Sequence, residues 1–120
     1  MAEKYTKYHG SESQFQQVVA RYLDMMGVLW WHTPNGGSRN RLEAGKLKRE
    51  GVKAGVPDIF IAEPRKGYHG LFIELKVGHN KPTEHQQHMF NRLEANGYKV
   101  AWSNSLTEVL DLIDNYLSDS

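Results

Sequence analysis

Three charged side chains stand where strands should be apolar. Asp58 opens the run Ile59-Phe60-Ile61-Ala62, and Glu74 and Lys76 lie in Gly70-Leu71-Phe72-Ile73-Glu74-Leu75-Lys76. The connection, Glu63-Pro64-Arg65-Lys66-Gly67-Tyr68-His69, is rich in turn formers, so a hairpin is expected. Lys66 is eight residues from Asp58 and eight from Glu74, so a hairpin turning there sets the two carboxylates opposite each other. Side chains alternate along a strand, so Glu74 and Lys76 share a face and Leu75 takes the other. Two carboxylates and an ammonium among apolar neighbours are costly to desolvate unless something binds there. A divalent cation suits such a set. Mg²⁺ asks for oxygen ligands and keeps several waters, so one or two carboxylates meet its need for protein ligands.

The bland alternative is a structural ion-pair cluster. Exposed pairs contribute only ~0–1 kcal/mol, which gives little reason to set charges inside apolar strands. The histidines do not suggest zinc: His85 and His88 are three apart on one predicted helix, with no third ligand at metal spacing. There is no Cys, hence no disulfide and no thiolate site, which fits a cytoplasmic location.

The elements that must position these residues are legible from periodicity. Phe15, Val18, Val19, Tyr22, Leu23 and Met26 mark a helix over 11–26, with Ser11 or Ser13 as cap, Gln14 or Gln16 at the capping-box position and Gly27 as stop. Glu12 in its first turn favours the helix dipole whether or not it has another role. Val28 to His32 reads as a short strand, followed by the loop Thr33-Pro34-Asn35-Gly36-Gly37-Ser38-Arg39. Leu42 to Gly51 is weakly helical and basic. After the hairpin over 58–77, Thr83 caps a helix running to about Asn96, with Met89, Phe90 and Leu93 inward and Gln86 at the capping-box position. Tyr98 to Ser103 is a strand. Ser105 caps a last helix whose stripe is Leu106, Val109, Leu110, Ile113 and Leu117. The fold class is therefore α/β, a mixed central sheet flanked by helices. The step from Ile73 to Val100 is expected to be a right-handed crossover between parallel strands. Trp30, Trp31 and Trp102 are expected in the core.

The chain of 120 residues, 39% hydrophobic and 24% charged, suits one domain over 1–120, with 1–10 as a flexible N-terminal lead. No secretory leader is visible, and no apolar run approaches the ~20 residues that span a bilayer, so no membrane partner is expected. Net charge is only +1, yet Arg39, Arg41, Lys46, Lys48, Arg49 and Lys53 crowd one stretch, opposed by Glu43 and Glu50. A basic face beside a metal site points to a polyanion. The candidates for contacting it are these six with His32, Asn35 and Lys81. A charge run is otherwise a solvated face, and His32 an edge residue without a role.

Pro57-Asp58 with Glu74-Leu75-Lys76 spells the PD…(D/E)-x-K signature of restriction-endonuclease-like nucleases. With Gly55-Val56 before it, the His32-Thr33-Pro34-Asn35-Gly36 loop, the helix opening Ser11-Glu12 with Gln16, and Gln86 opening a later helix, the chain resembles the VRR-NUC (virus-type replication-repair nuclease) family from about Glu12 to Leu117. The resemblance implies a restriction-endonuclease-like three-layer sandwich and a Mg²⁺- or Mn²⁺-dependent DNA phosphodiesterase, with no organic cofactor. By the family pattern, Asp58, Glu74 and the Leu75 carbonyl ligate metal and Lys76 is the catalytic lysine. Glu12 and Gln86 match accessory positions, with Gln16 one turn on from Glu12. Stand-alone phage and bacterial members resemble Holliday-junction resolvases, which implies a homodimer acting on branched DNA in replication, recombination or repair. The competing expectations are a restriction-type or nicking nuclease on ordinary duplex, and a DNA-binding module without catalysis.

Overall fold

The computed structural model describes residues 5–34 and 41–119. Four helices and four strands follow in the order α1 (Glu12–Met26), β1 (Trp30–His32), α2 (Arg41–Arg49), β2 (Ile59–Ile61), β3 (Leu71–Leu75), α3 (Glu84–Ala95), β4 (Lys99–Ser103), α4 (Leu106–Leu117). They form one mixed sheet, ordered β1-β2-β3-β4. The β1–β2 and β2–β3 pairs are antiparallel and β3–β4 is parallel, joined through α3 as expected.

Alternation divides the sheet. Ile59, Ile61, Leu71, Ile73 and Leu75 point to one face and are buried, with Phe15, Val19 and Leu23 of α1 and Val109, Ile113 and Tyr116 of α4 packed over them. Each such side chain stabilises the fold by roughly 1.5–3 kcal/mol. Helix α3 lies on the opposite face: Phe90 is buried outside that core cluster, and Gln86 reaches Glu74 and Lys76. The result is three layers.

Ile59 pairs with Ile73, so the register carried one residue further sets Asp58 opposite Glu74. The hairpin turns at Lys66 (φ 53°) and Gly67 (φ 85°), between the bridged Arg65 and Tyr68. Two consecutive positive φ angles match the right-handed twist of the arms. Ala62, Glu63 and Pro64 then face only His69 and Gly70, so the first arm carries one extra residue, a bulge.

Helix boundaries agree with the caps. Ser11 and Gln14 form the capping box of α1, Gly27 (φ 70°) closes that helix, and Thr83 with Gln86 opens α3. At α4, Ser105 accepts from the Glu108 amide, but the Glu108 carboxylate takes the Ser103 hydroxyl instead of completing a box.

Two expectations need correction. Residues 5–10 are not a loose lead: Tyr8 N–H donates to Asn104, its carbonyl accepts from Gly78 N–H, and its ring stacks on Phe15 at 4.5 Å. The tryptophans are not all core. Trp30 packs against the core and donates to Asp24, but Trp31 is 48% exposed and Trp102 36%. Both belong to the sheet face that α1 and α4 do not cover. Among the described residues, no helix is long and apolar enough to cross a membrane.

Candidate active site

The site begins with backbone placement. Gly55 has φ +83°, and a Cβ there would lie 3.2 Å from the His85 ring and 3.5 Å from the Gln86 Cα. Glycine thus lets the chain pass against the first turn of α3 just before the buried Pro57 and the half-buried Asp58. Asp58 is held from two sides. Its carbonyl accepts from Thr33 N–H and from His32 Nδ1, both at 2.8 Å, and its Oδ2 accepts from Leu75 N–H at 2.8 Å. A carbonyl only accepts, so His32 Nδ1 carries the proton and Nε2 is turned away from the strand.

Glu74 and Lys76 stand two apart on β3 and its extension, 4% and 8% exposed. Lys76 Nζ lies 3.4 Å from Glu74 Oε2 and donates to Gln86 Oε1 at 2.8 Å. Gln86 Nε2 in turn donates to Glu74 Oε2 at 3.3 Å, while Gln86 Oε1 also accepts from Thr83 N–H. The capping residue of α3 is therefore also the bridge between the carboxylate and the ammonium. The capping reading of Gln86 therefore holds, and the same side chain faces the charged pair.

Electrostatics follow from burial. Glu74 is pushed up to about 7, first by desolvation and then by the Asp58 charge, with Lys76 pulling the other way. Asp58 is also raised by burial, against the Leu75 amide that favours its ionised form. Glu12, exposed in the first turn of α1, raises both through its charge. Glu74 Oε1 is buried without a partner. An incoming cation would satisfy it. Among the described residues no three His, Asp or Glu side chains cluster as a metal cage. A pair of carboxylates fits the few protein ligands that Mg²⁺ requires.

The other candidates spread out. Gln16 has a buried Nε2 without a partner. Arg41, Lys46, Lys48 and Arg49 are exposed on α2, which buries no residue; Lys53 and Lys81 are exposed in loops. Asn35 and Arg39 lie outside the described residues. Sequence reasoning did not foresee the His32–Asp58 bond or the packing of Gly55 on α3. The positive φ was hinted at by the Gly-x-Pro run alone.

The VRR-NUC domain profile matches residues 10–106. A solved structure described as a VRR_NUC domain protein superposes with a TM-score of 0.77 at 30% identity, covering 92% of this chain and 90% of that one. A second, described as a VRR_NUC domain, gives 0.61 at 25% identity, covering 88% of this chain and 96% of that one. No curated protein matches. The four-stranded mixed sheet with its helices is thus the restriction-endonuclease-like fold of those domains.

Proposed function

The chain belongs to the VRR-NUC family of nuclease domains, and on that premise we propose that it is a metal-dependent endonuclease hydrolysing DNA phosphodiester bonds, selective for branched DNA such as four-way junctions. It works as a single domain over 1–120, as a homodimer, in replication, recombination or repair within the cytoplasm of a bacterial or phage-infected cell. The observation that carries the reading is the unpartnered, buried Glu74 Oε1 beside Asp58 and the Lys76–Gln86 pair.

Asp58, Glu74 and the Leu75 carbonyl would hold Mg²⁺ or Mn²⁺. The cation supplies Lewis acidity toward the phosphate and a lowered pKa for bound water. The protein supplies the rest. Lys76 Nζ has three hydrogens; Gln86 takes one and Glu74 lies beside another, which leaves one for the attacking water or a phosphate oxygen. Gln86 fixes that ammonium and keeps the Glu74 carboxylate turned with Oε1 free. His32 presents Nε2 to an approaching phosphate, and α2 offers cations to the flanking backbone. Glu12 adds negative charge over the site and favours cation binding.

The test is purified protein with Mg²⁺ or Mn²⁺ on labelled duplex, flap, splayed-arm and four-way-junction DNA. Preferred cutting of branched substrates is expected. Cutting of duplex alone would replace structure selectivity with a restriction-type or nicking activity, and no cutting of any substrate would end the enzyme reading.

A further inference from the structure

The sheet face that carries Glu74 also carries an aromatic row. Trp31, Phe60 and Phe72 are aligned by the register Trp31↔Phe60↔Phe72, with Val100 beyond them on β4. Their rings touch in sequence: Trp31 meets Phe60 edge-on at 5.0 Å between centroids, and Phe60 stacks on Phe72 at 4.4 Å. Phe60 and Phe72 are two residues from Asp58 and Glu74 respectively, so by alternation the row shares their face, ~7 Å along the strands. On the opposite face Ile59 and Ile61 are fully buried, while Trp31 remains 48% exposed.

From this juxtaposition we infer that Trp31, backed by Phe60 and Phe72, is the stacking platform for an unpaired DNA base next to the scissile phosphate. The inference rests on the DNA reading above and deepens it. An indole braced by a second ring presents a preformed apolar face, and such faces bind unstacked bases regardless of base identity. The row runs directly into the carboxylate row, so a nucleotide whose phosphate meets Asp58 and Glu74 has its base within reach of Trp31. In an intact duplex that base is already paired and stacked, and reaching the indole would require unstacking it. Only strands frayed at a branch, flap or junction offer it free. Phosphate contacts from His32 or α2 read both substrates alike. Trp31 is therefore the element that converts a general phosphodiesterase centre into one preferring branched DNA.

Two measurements test this, both with Ca²⁺ in place of Mg²⁺ so that strands stay intact. In the first, 2-aminopurine is placed singly along a splayed-arm DNA and titrated with the wild-type protein. Quenching confined to an unpaired position at the fork is expected; no quenching at any unpaired position overturns the inference. In the second, Kd is measured for duplex and splayed-arm DNA with Trp31→Ala and Trp31→Phe. Stacking of one base predicts that the duplex-to-fork Kd ratio drops roughly 5- to 100-fold in Trp31→Ala and is largely restored in Trp31→Phe. A ratio that stays at its wild-type value overturns it. So does an equal loss on both DNAs accompanied by a change in oligomeric state on sedimentation, which would assign the face to a second copy. Failure here is separable from failure of the nuclease reading. Cutting of DNA with Mg²⁺ alongside an unmoved ratio sinks only this inference. Quenching at the fork without cutting in either metal sinks only the catalysis.

Discussion

Glu74 shows how one residue's surroundings make a claim testable without substrate. Its carboxyl sits at about 7 in the folded protein against 4.5 for the free side chain, because it is buried beside Asp58. The folded state therefore holds a proton that the unfolded chain has released between those values. For a group raised on folding, the stabilisation is fully present below the unfolded value and is lost as pH rises to the folded one. We predict that the metal-free protein loses on the order of 2–3 kcal/mol of stability between about pH 4.5 and pH 7 from this group. Glu74→Gln, a neutral isostere, removes that part of the slope and is the more stable protein above pH 7. Urea denaturation of both across this range measures the difference, and a wild-type-minus-variant difference that is flat would refute the raised carboxyl. The neighbouring ammonium makes a second claim. Lys76→Met keeps the stem and loses the donor to Gln86; we expect cleavage to fall at least 100-fold with thermal stability little changed. Cleavage within a few-fold of wild type would remove Lys76 from the chemistry.

Elements explain why these side chains meet, and where sequence could and could not foretell it. Lys66 lies midway between Asp58 and Glu74 and is followed by a glycine, so turn chemistry foretold the pairing of the carboxylates, but the turn takes both residues and leaves the first arm one residue longer than the second. The two-residue turn at Lys66-Gly67 alone would set Asp58 opposite Leu75, and the extra residue of the bulge at 62–64 shifts the register by one and brings Glu74 there instead. The capping box of α3 was equally legible, since it is local. That its glutamine also grips Lys76 depends on where α3 docks, through the approach of Gly55 to His85 and Gln86, and such tertiary placement leaves no periodic signal. Trp31 misled for a related reason: bulk and hydrophobicity predict burial, but only the register says which face a side chain takes and whether a helix covers it. Helix α2 is the opposite case. Its thin apolar content foretold a helix without a buried face, and Leu42 is 86% exposed on it. Its exposed cations are free to meet phosphate. We predict that Lys46→Glu, Lys48→Glu and Arg49→Glu together weaken DNA binding and flatten the plot of log K against log salt by about 0.9 for each phosphate that the variant no longer neutralises. A slope equal to wild type would move the DNA path away from α2.

At the scale of the whole molecule, one 13.8 kDa chain presents one carboxylate pair, and resolving a four-way junction requires two strands to be cut. A two-fold dimer brings two such sites to two strands with one kind of surface, and closed two-fold pairs are the commonest oligomers. The proposed dimer makes a kinetic claim that mass alone does not. If two sites act on one junction, blocking one site leaves the first nick but delays the second. We predict that equal parts of wild type and Lys76→Met, mixed and allowed to exchange, accumulate singly nicked junctions, whereas diluted wild type alone gives paired nicks at a lower rate. Light scattering should give twice 13.8 kDa for both proteins. Paired nicks from the mixture in the same proportion as from wild type, or a mass of a single chain at working concentration, would mean that each chain cuts alone. Strand choice would then rest on the unpaired base at Trp31 rather than on symmetry, and the Trp31→Ala variant on a junction would tell the two apart, since only the symmetric enzyme would keep its nicks paired.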